Sequence, residues 1–114
     1  MKTLLIDIGS SNIKYKLLND SSYQSVPFIA PCINESFFYE VNPIAIFNSI
    51  KEIIDKINPN DVYFSTQMHG YVLLKNKKEV SNYISWQDSR GINKKPKFTI
   101  NSEYGVNIKK NLFI

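Results

Sequence analysis

A second cysteine is missing from the 114 residues, and so are a second histidine and a second tryptophan. With Cys32 alone, no internal disulfide can form and no cysteine pair can share a structural zinc, which makes the cytosol the expected compartment. Cys32 itself reads as a small apolar filler or a loop residue. No apolar run approaches the roughly 20 residues of a membrane span. The opening MKTLLIDIGSSNIKY breaks its short apolar run at Asp7, too early for a signal peptide. These absences exclude a disulfide scaffold and a helical membrane protein, and they predict a cytoplasmic chain without a membrane partner.

What is present can fill a core: 43% of the residues are hydrophobic, 13% aromatic and 21% charged. Such a composition excludes a disordered tail, and the length allows one small domain or a piece of a larger one. The net charge of +4 is unevenly placed. Residues 1–74 carry five Lys against seven acids, whereas residues 75–114 carry nine Lys or Arg against three. Nucleic-acid binding would need those cations clustered with exposed aromatics on one face. Lys75, Lys77 and Lys78 sit instead in the polar turn of LLKNKKEV, and Lys94, Lys95 and Lys97 flank Pro96. Solvated loops are the expectation, and no nucleic-acid partner.

The apolar TLLIDI at residues 3–8 reads as a strand, stopped by Gly9, Ser10 and Ser11. NIKYKLL then alternates, with Ile13, Tyr15 and Leu17 on one side, and YQSVPFI closes an antiparallel meander. Residues 30–41 read as an irregular connection. A helix follows, with Asn42 as N-cap, Pro43 at the first position, and Phe47, Ile50, Ile54 and Ile57 along one face. Glu52 and Lys56 are spaced for an ion pair on the outer face, and Asn58-Pro59 ends the helix. Asp61–Ser65 gives another strand, and after the break at residues 67–70, YVLLK and NYISWQD read as a hairpin-like pair around Asn76-Lys77-Lys78. Strands, a helix and more strands define an α/β mixed sheet with a crossover helix. The tail FTINSEYGVNIKKNLFI has a short amphipathic pattern and stops at Leu112-Phe113-Ile114, so the chain reads as cut from something longer.

Three short segments could carry chemistry. In Asp7-Ile8-Gly9-Ser10-Ser11-Asn12-Ile13-Lys14, a carboxylate ends an apolar strand and a glycine with two hydroxyls follows in a tight turn. That arrangement offers N–H groups and hydroxyls to a phosphate and a carboxylate to Mg²⁺, which is what phosphoryl transfer needs. An ordinary hairpin with a turn-capping Asp is the alternative; against it stands the cost of an unpaired carboxylate in a buried strand. Gln67-Met68-His69-Gly70 places the sole histidine at a strand end, where a structural role competes with ligand binding. In Trp86-Gln87-Asp88-Ser89-Arg90 the sole tryptophan, in a strand, would ordinarily be core, and Asp88 with Arg90 a surface pair.

Taken together and in this order, the three segments resemble the N-terminal domain of the FGGY carbohydrate kinases, xylulokinase-like members above all. The match runs over Asp7, Ile8, Gly9, Ser10, Ser11 and Lys14, then Gln67 to Gly70, then Trp86, Asp88 and Arg90, with NSEYGVNIKKNLF similar to the family's lead into its next helix. The resemblance implies a ribonuclease-H-like fold of the actin, hexokinase and heat-shock ATPase superfamily, with residues 1–114 as the N-terminal portion of the sugar-binding domain. It implies ATP-dependent phosphorylation of a ketose such as xylulose, with ATP and Mg²⁺ as cofactors. Asp7 would lie near the transferred phosphate and its Mg²⁺, reached directly or through water, and Gly9, Ser10, Ser11 and Lys14 would line the phosphate side. Gln67, Met68 and His69 would meet the sugar, Trp86 would wall its pocket, and Asp88 and Arg90 would brace it.

Family members are several times longer, and their catalytic base, adenine-binding glycines and second, ATP-binding domain fall beyond residue 114. The chain alone is therefore expected to transfer no phosphate. A non-catalytic sugar-binding or regulatory remnant is the rival reading. The exact sugar and a homodimer stay open.

Overall fold

The computed structural model describes residues 1–91, in two compact units. The first joins Met1–Ala30 to Ile44–Gln67. Its strands are β1 (Thr3–Ile8), β2 (Asn12–Leu17), β3 (Gln24–Pro27) and, after helix α1 (Pro43–Ile57), β6 (Asp61–Thr66). The sheet order is β3-β2-β1-β6, antiparallel from β3 to β1 and parallel between β1 and β6, so α1 is the crossover that the sequence pattern predicts.

Side chains alternate across this sheet. Leu4, Ile6 and Ile8 of β1 face Leu17, Tyr15 and Ile13 of β2 in register, and α1 lays the buried Ile53 over them, flanked by Ile50, Ile54 and Ile57. Burying an isoleucine in this way contributes about 1.5–3 kcal/mol. Phe47, expected on the same stripe, is 59% exposed: the stripe closes over the sheet only from Ile50 onward. The helix's ion pair is Lys51 with Asp55 rather than Glu52 with Lys56. Asn58 ends the helix in the left-handed region (φ 51°), its N–H donating to the Ile54 carbonyl at 2.7 Å, and Pro59 bars continuation.

The second unit joins Pro31–Pro43 to the chain from Met68 on. It holds a three-stranded antiparallel sheet, β4 (Ile33–Glu35), β5 (Phe38–Val41) and β9 (Tyr83–Ile84), and a small hairpin, β7 (Leu74–Lys75) with β8 (Lys78–Glu79). Two expectations are corrected here. Residues 30–41 are not irregular: β4 and β5 form a hairpin turning at Ser36 (φ 54°). And the expected pairing of YVLLK with NYISWQD holds only at Tyr71, which bridges Ile84: Leu74–Lys75 pairs with Lys78–Glu79, and Tyr83–Ile84 also pairs with β5, more than 40 residues back. Burial decides that pairing, because Val41 and Ile84 are both buried whereas Leu73 and Leu74 are exposed. Cys32 is an exposed loop residue whose thiol donates to the Glu40 carbonyl. Among the described residues no helix is long and apolar enough to cross a membrane. The expectations for Lys94–Lys97 and for the tail ending in Leu112-Phe113-Ile114 lie outside the described residues.

Candidate functional site

The first motif forms the tip of the β1–β2 hairpin. The Gly9 N–H donates to the Asn12 carbonyl at 2.9 Å, leaving exposed Ser10 and Ser11 as the two-residue turn. A Cβ on Gly9 would stand 2.9 Å from that same oxygen, closer than side chains tolerate, so the turn requires glycine. The Ser11 carbonyl accepts from the Phe28 N–H, tying the exit of β3 to the tip.

Asp7 does not interrupt a buried strand, as its apolar context suggests. β1 is buried on one face only, and Asp7 is exposed on the other, in register with Lys14 on β2 and Ser65 on β6. These residues line a groove of about 360 Å³ on the sheet's open face, with Leu5, Tyr23 and Tyr63 among its apolar walls. Lys14 is held over the Tyr23 ring, its Nζ 5.5 Å from the centroid. Gln67, at the end of β6, donates its backbone N–H to the Ile8 carbonyl and its side-chain Nε2 to the Gly9 carbonyl. Residues 58 positions apart thereby meet, and Gln67 buttresses the turn, a task its motif did not announce.

In the second unit, residues 68–70 of the second motif and 86–90 of the third lie outside the strands, close in sequence to Tyr71 and to β9, which pair with each other. His69 is left-handed (φ 65°), a conformation uncommon outside glycine, with its Nε2 buried, and Met68 beside it is exposed. The backbone of Tyr71 exchanges two hydrogen bonds with Ile84 of β9, and Gly70 lies so close to Tyr83 that a Cβ there would overlap the phenol ring. Burial pushes the Tyr83 hydroxyl up to about 12 and raises that of Tyr71 as well.

Beyond β9 the chain turns. The Asp88 N–H donates to the Ser85 carbonyl, so Trp86 rides a β-turn instead of a strand and is 41% exposed rather than core. Asp88 and Arg90 are not a surface pair either: Asp88 is fully buried, and the Arg90 side chain is 10% exposed. Asp88 Oδ2 accepts from the Tyr39 N–H at 2.8 Å and from Arg90 Nη2, and Oδ1 from Arg90 Nε at 2.9 Å and from its backbone N–H. Burial alone would raise the Asp88 carboxyl, but the hydrogen bonds from Arg90 and Tyr39 outweigh it and hold the group below its ordinary value. The same Asp88 bonds raise Arg90, helped by Glu40, which the sequence reading overlooked. The signal for it was slight, a charge in the middle of the short FYEV.

The chain shares its α/β fold with part of solved xylulose and glycerol kinases, although no family model matches the chain and no curated protein matches its sequence. It is similar to a ligand-bound xylulose kinase from Lactobacillus acidophilus (TM-score 0.65, 22% identity) and to a "xyloylose kinase" from Brucella ovis (0.68, 20%). Plasmodium falciparum glycerol kinase with ADP is a further match, with a TM-score of 0.56 and 21% identity. Each match covers 80% of this chain, which spans only 21–22% of those proteins' length.

Proposed function

We propose that the chain is the sugar-binding part of an FGGY-type carbohydrate kinase, a ribonuclease-H-like half-domain that acts on a ketose such as xylulose. The observation that carries the reading is the bond from Gln67 to the Gly9 carbonyl, which joins two of the three motifs at the end of a central strand. The fold similarity to xylulose and glycerol kinases supports it.

In this reading the β1–β2 tip holds the transferred phosphate. Gly9 lets the turn close, Ser10 and Ser11 present their hydroxyls and N–H groups, and Lys14 adds positive charge in register with Asp7. Asp7 and the Ser65 hydroxyl suit Mg²⁺, which keeps several waters and is held through one or two carboxylates together with phosphate oxygens. Among the described residues no group of three or more His, Cys, Asp or Glu gathers, so nothing competes as an all-protein cage. Bound ATP and Mg²⁺ supply the phosphoryl group and its charge neutralisation. Met68 and His69 hold sugar hydroxyls, and Trp86 offers the face on which a sugar ring lies. The base that takes the hydroxyl proton and the adenine site belong to the remainder of such a kinase, which acts in the cytoplasm, and the isolated chain is inactive.

A coupled ADP-release assay with ATP, Mg²⁺ and a panel of ketoses tests this. The protein carrying this chain together with an ATP-binding domain turns over a ketose, and the 114-residue chain does not. Ketose-stimulated ADP release by the short chain overturns the claim of inactivity; no turnover of any sugar by the longer protein overturns the kinase reading.

A further inference from the structure

The loop that carries Trp86 is fastened along β5. The Ser85 N–H donates to the Tyr39 carbonyl, the Tyr39 N–H to Asp88, the Ser89 N–H to the Phe37 carbonyl, and Arg90 Nη2 to Glu40 Oε2. Arg90 lies over the Phe38 ring, 4.7 Å from its centroid. Asp88 alone already engages Arg90 Nε and Nη2, so the guanidinium has a bidentate partner without Glu40. A second carboxylate, only 14% exposed, leaves the cluster with one excess negative charge. Burying such a charge adds little net stability, and its best-attested benefit is to fix one geometry. Glu40 is itself held from the other side, with Asn82 Nδ2 donating to its Oε1 at 3.0 Å.

We propose that Glu40 is a positioning residue for the Trp86–Arg90 loop: held by Asn82, it locks Arg90, and through Arg90 and Asp88 it sets the turn that presents Trp86. What the loop presents Trp86 to rests on the ketose-kinase reading; the clamp itself does not. Glu40→Gln keeps the shape but cannot accept from both Asn82 and Arg90, because one of its two terminal atoms becomes a donor.

Trp86 is the sole tryptophan, so its fluorescence reports this loop alone. In the full 114-residue chain, at temperatures where far-UV circular dichroism is unchanged, Glu40→Gln roughly doubles acrylamide quenching of Trp86 as the loop loosens. It also weakens D-xylulose binding, read as Trp86 emission change, about tenfold. Glu40→Asp, which keeps the charge, restores most of the wild-type quenching, whereas Glu52→Gln on the outer face of α1 changes nothing. Should Glu40→Gln not fold, Asn82→Ala loosens the same clamp from its other end and shifts quenching in the same direction. Wild-type quenching in folded Glu40→Gln or Asn82→Ala overturns the proposal. If wild type ignores every ketose while Glu40→Gln still loosens Trp86, the sugar reading falls and the clamp stands.

Discussion

Asp88 shows how much one carboxylate can organise. Its two oxygens accept four hydrogen bonds, from two residues, one of them on β5, and none of its surface reaches water. Asp88→Asn puts an amide N–H against one of the Arg90 donors and leaves the guanidinium Glu40 as its one carboxylate partner, so urea unfolding should show a loss of about 1–3 kcal/mol. Its pH signature follows from the depressed carboxyl: the unfolded chain binds the proton first as pH falls, so stability is fully present above about pH 4 and is lost as pH drops through the folded-state value. Tyr83 gives the opposite limb. Its hydroxyl ionises near 10 when unfolded and about 12 when folded, so its contribution is present below pH 10 and fades toward pH 12, which absorbance at 295 nm can follow.

The helix and the hairpins make separate demands. α1 is legible because its apolar spacing, Asn42-Pro43 start and Asn58-Pro59 stop all agree, and the structure places it at Pro43–Ile57. Ile53→Ala, at the point where the helix meets β1 and β2, should cost about 2–5 kcal/mol in urea unfolding. The β7–β8 turn sets two non-glycine residues, Asn76 (φ 52°) and Lys77 (φ 65°), in the left-handed region, the pattern of a type I′ turn. Lysine is poorly suited to that conformation, so Lys77→Gly should raise stability by about 0.5–1 kcal/mol, read as a higher urea midpoint. The β4–β5 hairpin was not legible, because three- and four-residue strands carry too little alternation to stand out from a loop.

Across the molecule, the carboxylate proposed for the phosphate side is separate from the core. Asp7 is exposed on the open face of its sheet, away from the core. Asp7→Ala should therefore leave the unfolding midpoint of this chain within about 0.5 kcal/mol of wild type. On the proposed kinase reading, the same change in a protein that joins this chain to an ATP-binding domain should abolish ketose-dependent ADP release. A variant that unfolds the chain would mean that Asp7 is structural and would remove it from the phosphate side. The three motifs were readable as residue types in a fixed order, and so was the meander-helix-strand arrangement that carries the first of them. The division of labour inside them was not: Gln67 braces the Gly9 turn, Asp88 and Arg90 are interior, and Trp86 is exposed on a turn.

Short-range signals suffice for β1 through the β1–β2 turn, for the helix with its start and stop, and for β6 after it. These depend on side-chain period, on capping and on residues with special backbone freedom, all of which a short window contains. Tertiary structure decided the pairings and burials that join distant segments. Tyr83–Ile84 found β5 because Ile84 and Val41 both leave water there, and that pairing brought Glu40 to Arg90. Burial and charge compensation depend on which surfaces meet in space, and no window of sequence records that meeting.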